Sequence, residues 1–319
     1  MKNSIILCLL IMLLLSCKKE TEAVGPKSFP ETINGTIIYQ NNSRKYILHI
    51  PSSYNGTTEL PLVVFLHGGG GSSASAVNFT NFNQVSESEN FLMVYPQAFF
   101  EASPNSFVWA DGRGLAPDNQ GIDDVGFIDQ LVTSLKQEYK INAKKVYLCG
   151  FSNGSFLTQR IAFEKNEQFA AFGTIGGTIM KNLYDTGNPQ RAIPQIFIFG
   201  TADPLVPYNG GVVVGSNTLP IVGIEQAVSY WVTKNNCQTT LPIINLPNIN
   251  TTDNSTVEVY EYTNGSCNNS RVKFYKINGG GHTWAGVKLP NLTTMGETNL
   301  DIFASQEVWN FFKQYELCK

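Results

Sequence analysis

The sequence predicts an α/β fold, with a mostly parallel central sheet, antiparallel N-terminal strands and helices on both faces. Two observations carry this reading. From residue 61 onward, short, mostly apolar runs recur: Leu62 to Leu66, Phe91 to Tyr95, Val146 to Cys149, Phe169 to Ile175, Ile196 to Phe199 and Val272 to Ile277. Continuous rather than alternating apolarity marks strands covered on both sides, as in a parallel sheet. Longer stretches of helical periodicity separate these runs, and that alternation builds a layered α/β architecture. Composition agrees: of 319 residues, 42% are hydrophobic and 15% charged, enough apolar material for one large core. A formal net charge of −3, with no basic run, excludes a phosphate-neutralising surface, so no nucleic-acid partner is expected.

The first residues are set aside from the fold. Lys2 precedes an apolar run from Ile5 to Leu15, shorter than the roughly 20 residues of a spanning helix, and residues 1–16 read as a signal peptide. The run ends in Leu14-Leu15-Ser16-Cys17. This resembles the bacterial lipobox, so Cys17 is expected to be the lipidated N-terminus of the mature chain. Residues 17–30, polar and containing Gly25-Pro26, are expected as a flexible tether, and residues 31–319 as a single domain. The expected location is the cell envelope, with the membrane reached only through the lipid, or the extracellular space.

Export permits disulfides. Cys237 and Cys267 flank one excursion in polar, turn-rich surroundings and are expected to pair, leaving Cys318 without an assigned partner. Cys149 ends an apolar run and is expected as a buried strand residue. No two cysteines have C-x-x-C spacing, so neither a metal nor a cofactor is expected.

Within the domain, Ile33 to Gln40 and Arg44 to Pro51 are β-rich and separated by Asn41-Asn42-Ser43, a hairpin signal. The clearest helix runs from about Ile122 to Tyr139, opened by Asp123-Asp124 and carrying Val125, Ile128, Leu131, Val132 and Leu135 at core spacing. Asn153 to Phe163, Ile224 to Lys234 and Leu300 to Tyr315 are the further helices. Residues 235–270, rich in Asn, Thr and Pro, are expected as an inserted loop.

The candidate chemistry begins at Gly150-Phe151-Ser152-Asn153-Gly154. This matches G-x-S-x-G, the nucleophile elbow of the α/β-hydrolase fold, and it stands where the motif requires, between a strand-like run and a helical pattern. Chance alone produces the pattern in about one chain in ten of this length, so the context decides. In this architecture the base follows the Ser and the acid lies between them. Of three histidines, His49 and His67 precede Ser152; His282 remains, in a Gly-rich loop after the last apolar run. Of Asp185, Asp203 and Asp253, only Asp203 stands just past a clear strand, in Gly200-Thr201-Ala202-Asp203. His67-Gly68-Gly69-Gly70-Gly71 resembles the HGGG-type loop, whose backbone N–H completes an oxyanion hole. The expected donors are the N–H groups of Asn153 and of Gly69, or of Gly70. As a phosphate loop the stretch fails, lacking G-K-[ST].

As a set, Leu66-His67-Gly68-Gly69, Tyr95-Pro96-Gln97, Trp109-Ala110-Asp111-Gly112-Arg113, Asp123-Asp124-Val125-Gly126-Phe127, the Ser152 elbow, Gly200-Thr201-Ala202-Asp203, Val206-Pro207-Tyr208 and Gly281-His282-Thr283-Trp284 resemble the polyhydroxybutyrate depolymerase family of secreted α/β-hydrolases, which is similar to feruloyl and acetyl-xylan esterases. The resemblance spans residues 35 to 315. It implies a serine esterase with Ser152, Asp203 and His282 as triad, supports the Cys237–Cys267 pairing, and places Trp284, Trp109 and Tyr208 on the substrate wall. Relatives carry small residues after the Ser where this chain has Asn153, which is expected to narrow the pocket. No polymer-binding module follows in the sequence, so soluble hydroxyalkanoate oligomers, or feruloyl and acetyl esters of plant polysaccharide, are the expected substrates. Two competing readings are a serine peptidase of the same fold, which the want of an acidic pair for a peptide amine disfavours, and a non-catalytic glycan-binding lipoprotein, which should show a broken triad.

Overall fold

Gln40 and Asn41 both sit at positive φ, 47° and 61°, forming the two-residue turn that matches the twist of an antiparallel pair. β1 (Thr32–Tyr39) therefore folds back on β2 (Asn42–His49), with Tyr39 opposite Asn42. The computed structural model describes residues 31–101, 105–288 and 293–318; the expected signal peptide, tether and Cys17 lie outside them.

The remaining long strands are β3 (Leu60–Leu66), β4 (Leu92–Pro96), β5 (Ile141–Phe151), β6 (Ala171–Ile175), β7 (Gln195–Gly200), β8 (Thr256–Thr263) and β9 (Val272–Asn278). They form one sheet in the order β1-β2-β4-β3-β5-β6-β7-β9-β8. Every pair from β4 to β9 is parallel, and the antiparallel pairs lie towards the two edges. The apolar runs are continuous because each strand serves two cores. Leu62, Val64 and Leu66 of β3 pack with Ile128, Leu131 and Trp231 on one face, whereas Val63 and Phe65 pack with Phe82, Trp309 and Phe312 on the other.

Helices α1 (Ser73–Thr80), α2 (Phe82–Glu89), α3 (Asp124–Glu138), α4 (Asn153–Glu164), α5 (Ile224–Lys234) and α6 (Ala304–Phe312) cover these faces. Asp123 caps α3, its carboxylate accepting the Gly126 N–H at 2.8 Å. The last helix is shorter than the periodicity predicts. Asn299 Oδ1 accepts the Asp301 N–H and Asp253 Oδ2 accepts the Leu300 N–H, holding that stretch as a loop until Ala304. No helix of the described residues is long and apolar enough to cross a membrane.

Two expectations fail between residues 235 and 318. The supposed loop contains β8, an eight-residue strand paired antiparallel with β9, whose Val257 and Val259 are buried. The expected Cys237–Cys267 bridge is replaced by Cys267–Cys318, leaving Cys237 a free thiol. The chain after α6 explains the exchange. Leu317 N–H donates to Lys144 O at 2.7 Å, and Tyr315 O accepts the Tyr147 hydroxyl at 2.8 Å. These bonds lay the C-terminal segment along the end of β5 and bring Cys318 to Cys267, with 5.9 Å between their Cα atoms.

Candidate active site

β5 ends at Phe151 and α4 begins at Asn153, leaving Ser152 between them at φ 54°, ψ −119°. A non-glycine residue held there stores on the order of 1–3 kcal/mol of strain and persists only where its surroundings enforce it. The enforcement is visible. Ser152 N–H donates to Ile175 O at 2.9 Å, while Ser155 Oγ lies 2.6 Å from Gly150 O and accepts the Ile175 N–H at 2.8 Å. The flanking glycines are required by contact: a Cβ on Gly150 would lie 2.4 Å from the Gly154 carbonyl, and one on Gly154 2.1 Å from Leu66 O. Ser152 is half-buried, and its hydroxyl has no hydrogen bond among the described residues.

Asp203 and His282 follow adjacent parallel strands, β7 and β9. Their ends touch, since a Cβ on Gly200 would meet Gly280 O at 2.2 Å. His282 Nδ1 lies 2.7 Å from Asp203 Oδ2, and the other carboxylate oxygen accepts the N–H groups of Leu205 and Val206 at 2.8 Å each. The Asp203 side chain is fully buried and that of His282 nearly so. A carboxylate on Nδ1 fixes that nitrogen as the proton carrier and leaves Nε2 basic. The imidazole packs 4.8 Å from the Phe151 ring, between centroids, and Cε1 would lie 3.3 Å from a Cβ on Gly176. It therefore sits over the ends of β5 and β6, beside the elbow.

The glycine loop discriminates between the candidate oxyanion donors. Gly70 N–H is engaged by Phe107 O at 2.9 Å and Gly71 N–H by Gly68 O at 3.0 Å. The N–H groups of Gly69 and Asn153 have no acceptor among the described residues, and a Cβ on Gly69 would lie 3.5 Å from that of Asn153. Two free donors thus stand side by side at the N-terminus of α4, where negative charge is favoured.

What holds this loop was not assigned from sequence. His67 is fully buried; Ala98 N–H donates to its Nε2 at 3.2 Å, so Nδ1 carries the proton and donates to Gly68 O at 2.8 Å. Burial lowers its pKa from 6.5 to about 4, and the ring is neutral. Gln97 Nε2 lies 3.0 Å from the same Nε2, while Gln97 Oε1 accepts the Ser73 N–H that opens α1. Beneath lies a buried polar chain. Asn153 Oδ1 accepts Trp109 N–H at 2.8 Å, Asn153 Nδ2 donates to Asp111 Oδ2 at 2.6 Å, and Arg113 pairs with Asp111 at 2.7 Å. Asp124 Oδ2 accepts Ala110 N–H at 2.8 Å and is neutralised by Arg44. The available signal was the clustering of Asp111, Arg113, Asp123 and Asp124 in a chain poor in charge.

The three expected wall residues separate. Trp284 lines a cleft of about 370 Å³ together with the glycine loop, Phe79, Phe151, His282 and Val287. Phe79 lies 5.8 Å from both Trp284 and Phe151 in edge-on contacts; neither Phe was singled out as a wall residue. Trp109 is a correction: it is fully buried, and its indole donates to His67 O at 2.9 Å, so it braces the loop from below. Tyr208 is not among the residues lining this cleft; its hydroxyl donates to Glu225 at 2.7 Å and Lys276 lies 5.6 Å from its ring.

Residues 54–227 match the sequence profile of the phospholipase/carboxylesterase family. A "Probable feruloyl esterase C" of Aspergillus clavatus is 27% identical over 212 residues, 66% of this chain and 73% of that protein. A bifunctional acetylxylan esterase/xylanase of Neocallimastix patriciarum is 29% identical over 179 residues, which make up 56% of this chain and only 24% of that longer protein. Among solved structures, an acetyl xylan esterase from Aspergillus awamori overlays with a TM-score of 0.55 at 15% identity, covering 89% of this chain and all of that one. A thermostable esterase gives 0.53 at 15%, covering 90% and 63%. At these identities the overlays speak for the α/β-hydrolase fold.

Proposed function

The chain belongs to the phospholipase/carboxylesterase family and is a carboxylic ester hydrolase, and within that class we propose that it is a serine esterase of feruloyl or acetyl groups on plant polysaccharide, working through an acyl-enzyme on Ser152. The observation that carries the proposal is the 2.7 Å contact between His282 and Asp203, set beside a serine in a strained strand-to-helix turn. Asp203 holds the imidazole so that Nε2 takes the Ser152 proton as Oγ attacks the ester carbonyl. The Gly69 and Asn153 N–H groups receive the developing oxyanion, and His282 returns the proton to the departing sugar hydroxyl. Water, deprotonated by the same imidazole, then attacks the acyl-enzyme and frees the acid and Ser152.

Two features support the finer assignment. The cleft beside His282 is walled by Phe79, Phe151 and Trp284, which suits an aromatic acyl group more than a peptide side chain. The relatives named above are a probable feruloyl esterase and an acetylxylan esterase/xylanase. The motif likeness to polyhydroxybutyrate depolymerases adds 3-hydroxybutyrate oligomers to the substrates worth testing. Lipid attachment at Cys17 belongs to the same proposal and is read by incorporation of labelled palmitate, lost in Cys17→Ser.

The experiment is a hydrolysis panel of methyl ferulate, acetylated xylan and 3-hydroxybutyrate oligomers, with Ser152→Ala as the blank. Methyl ferulate or acetylated xylan should be turned over by the native chain, and neither should be turned over by Ser152→Ala. Turnover that survives Ser152→Ala would remove the serine from the mechanism.

A further inference from the structure

A second cavity, of about 780 Å³, opens on the same rim of the sheet. The first turn of α1 divides it from the acyl cleft, with Ser73 and Ala74 lining one and Ser75 and Phe79 the other. It is joined to the oxyanion loop through two of its lining residues: Phe107 O holds the Gly70 N–H, and Gln97 contacts His67. Its position at the rim is fixed by Tyr46, which pairs with Pro96 at the C-terminal end of β4. Volume and place are those of a ligand site.

The lining has a specific chemistry. Asn34, Thr36, Ser43 and Lys45 are exposed, and their side chains have no hydrogen bond or ion pair among the described residues. Phe100 is 48% exposed and is held edge-on by Phe107 at 5.3 Å. An amide, two hydroxyls and an ammonium around an open phenyl face offer donors and acceptors at the edge of an apolar platform. A sugar ring is the complementary object, with an apolar C–H face and a rim of hydroxyls. Phosphate ligands are disfavoured because Arg44 is engaged by Asp124, leaving Lys45 as the unpaired cation among the described lining residues. A lipid tail would meet polar groups along the Asn34, Thr36 and Lys45 side.

We infer that this cavity is a glycan subsite, holding the sugar chain that bears the ester while its acyl group occupies the Phe79–Phe151–Trp284 cleft. The inference rests on the esterase reading and adds the recognition of the alcohol half of the substrate. The chain would cross the first turn of α1, placing the scissile bond over Gly69 and Ser152. A substrate with no glycan, such as methyl ferulate, would leave the cavity empty.

Two measurements test it. The first is free of catalysis: xylotetraose, which carries no ester, is titrated into the native chain and into Phe100→Ala by calorimetry. Removing a stacking ring should weaken saturable binding about fivefold to tenfold. The second is kinetic. Phe100→Ala and Asn34→Ala should raise KM for feruloylated xylo-oligosaccharide by a similar factor, with kcat for that substrate and both constants for methyl ferulate unchanged. Both residues are exposed, so an unchanged melting temperature is expected and confirms folding. Failure of xylotetraose to bind, or binding and KM indifferent to Phe100→Ala, would overturn the glycan subsite. Absence of Ser152-dependent ester hydrolysis, with xylotetraose binding still sensitive to Phe100, would overturn the esterase reading and leave the subsite standing.

Discussion

Two loops of this chain are built from the same residues and face opposite fates. His67-Gly68-Gly69-Gly70-Gly71 follows β3, and Gly279-Gly280-Gly281-His282 follows β9. Each is a histidine among glycines at the C-terminal end of a parallel strand. His67 is buried against backbone groups and an amide, neutral, with its pKa near 4. His282 meets a carboxylate at 2.7 Å, and its ring packs on Phe151, the residue before Ser152. The neighbours set the chemistry: backbone and amide donors on Nε2 fix His67 beneath the glycine loop, and an Asp on Nδ1 leaves Nε2 of His282 unprotonated, as the proposed base needs.

Disabling the second loop should have the largest effect. In Asp203→Asn, the amide no longer favours the Nε2-basic tautomer, and kcat on methyl ferulate should fall about 10⁴-fold with KM little changed. A loss below tenfold would mean that the carboxylate does not orient the base. Disabling the first loop should cost less. His67→Gln loosens Gly68 and Gly69 without touching the nucleophile, and the loss in kcat should be roughly 10²-fold, comparable with losing one oxyanion donor. A loss equal to that of Asp203→Asn would erase the distinction between post and base.

The same comparison carries a pH signature in stability. His67 has a folded pKa of about 4 against an ordinary value of 6.5. The folded state binds the proton less well, so stability is full above pH 6.5 and is lost as the pH falls toward 4, by about 3 kcal/mol at the limit. Urea unfolding of the native chain at pH 7 and pH 4.5 should show this drop, and His67→Gln should show a smaller one. The smallest effects belong to the wall. Trp284→Ala should raise KM for methyl ferulate roughly tenfold and leave p-nitrophenyl acetate nearly unaffected, whereas Tyr208→Phe, which removes only the hydroxyl bonded to Glu225, should change neither measurably.

The strands of the parallel sheet were legible because a two-faced core demands uninterrupted apolar runs, and α5 lies over the stretch its periodicity marked, Ile224–Lys234. The pairing of Asp203 with His282 was legible from their places just past two strand ends. What could not be read was the polar support. Asp111, Asp124, Arg44 and Arg113 look like surface charges in sequence and prove buried, because Arg44 pairs with Asp124 from another element, and Asp111 joins its neighbour Arg113 to Asn153 of α4. Trp109 was misplaced for the same reason: its indole is engaged inside the molecule by a carbonyl 42 residues away in sequence. β8 was hidden by the Asn- and Thr-rich stretch around it, although the alternation in Thr256-Val257-Glu258-Val259 has the period of a half-buried strand. The bridge from Cys267 depends on how the C-terminal segment docks on β5, which no local spacing encodes.

The central claim is that Ser152, activated by His282, is the group that becomes acylated. Labelling with a fluorophosphonate followed by peptide mass spectrometry reads this directly. A single adduct is expected on the peptide containing Ser152, stoichiometric with lost activity and absent in Ser152→Ala. An active enzyme that takes no label, or one labelled at another residue, would contradict it.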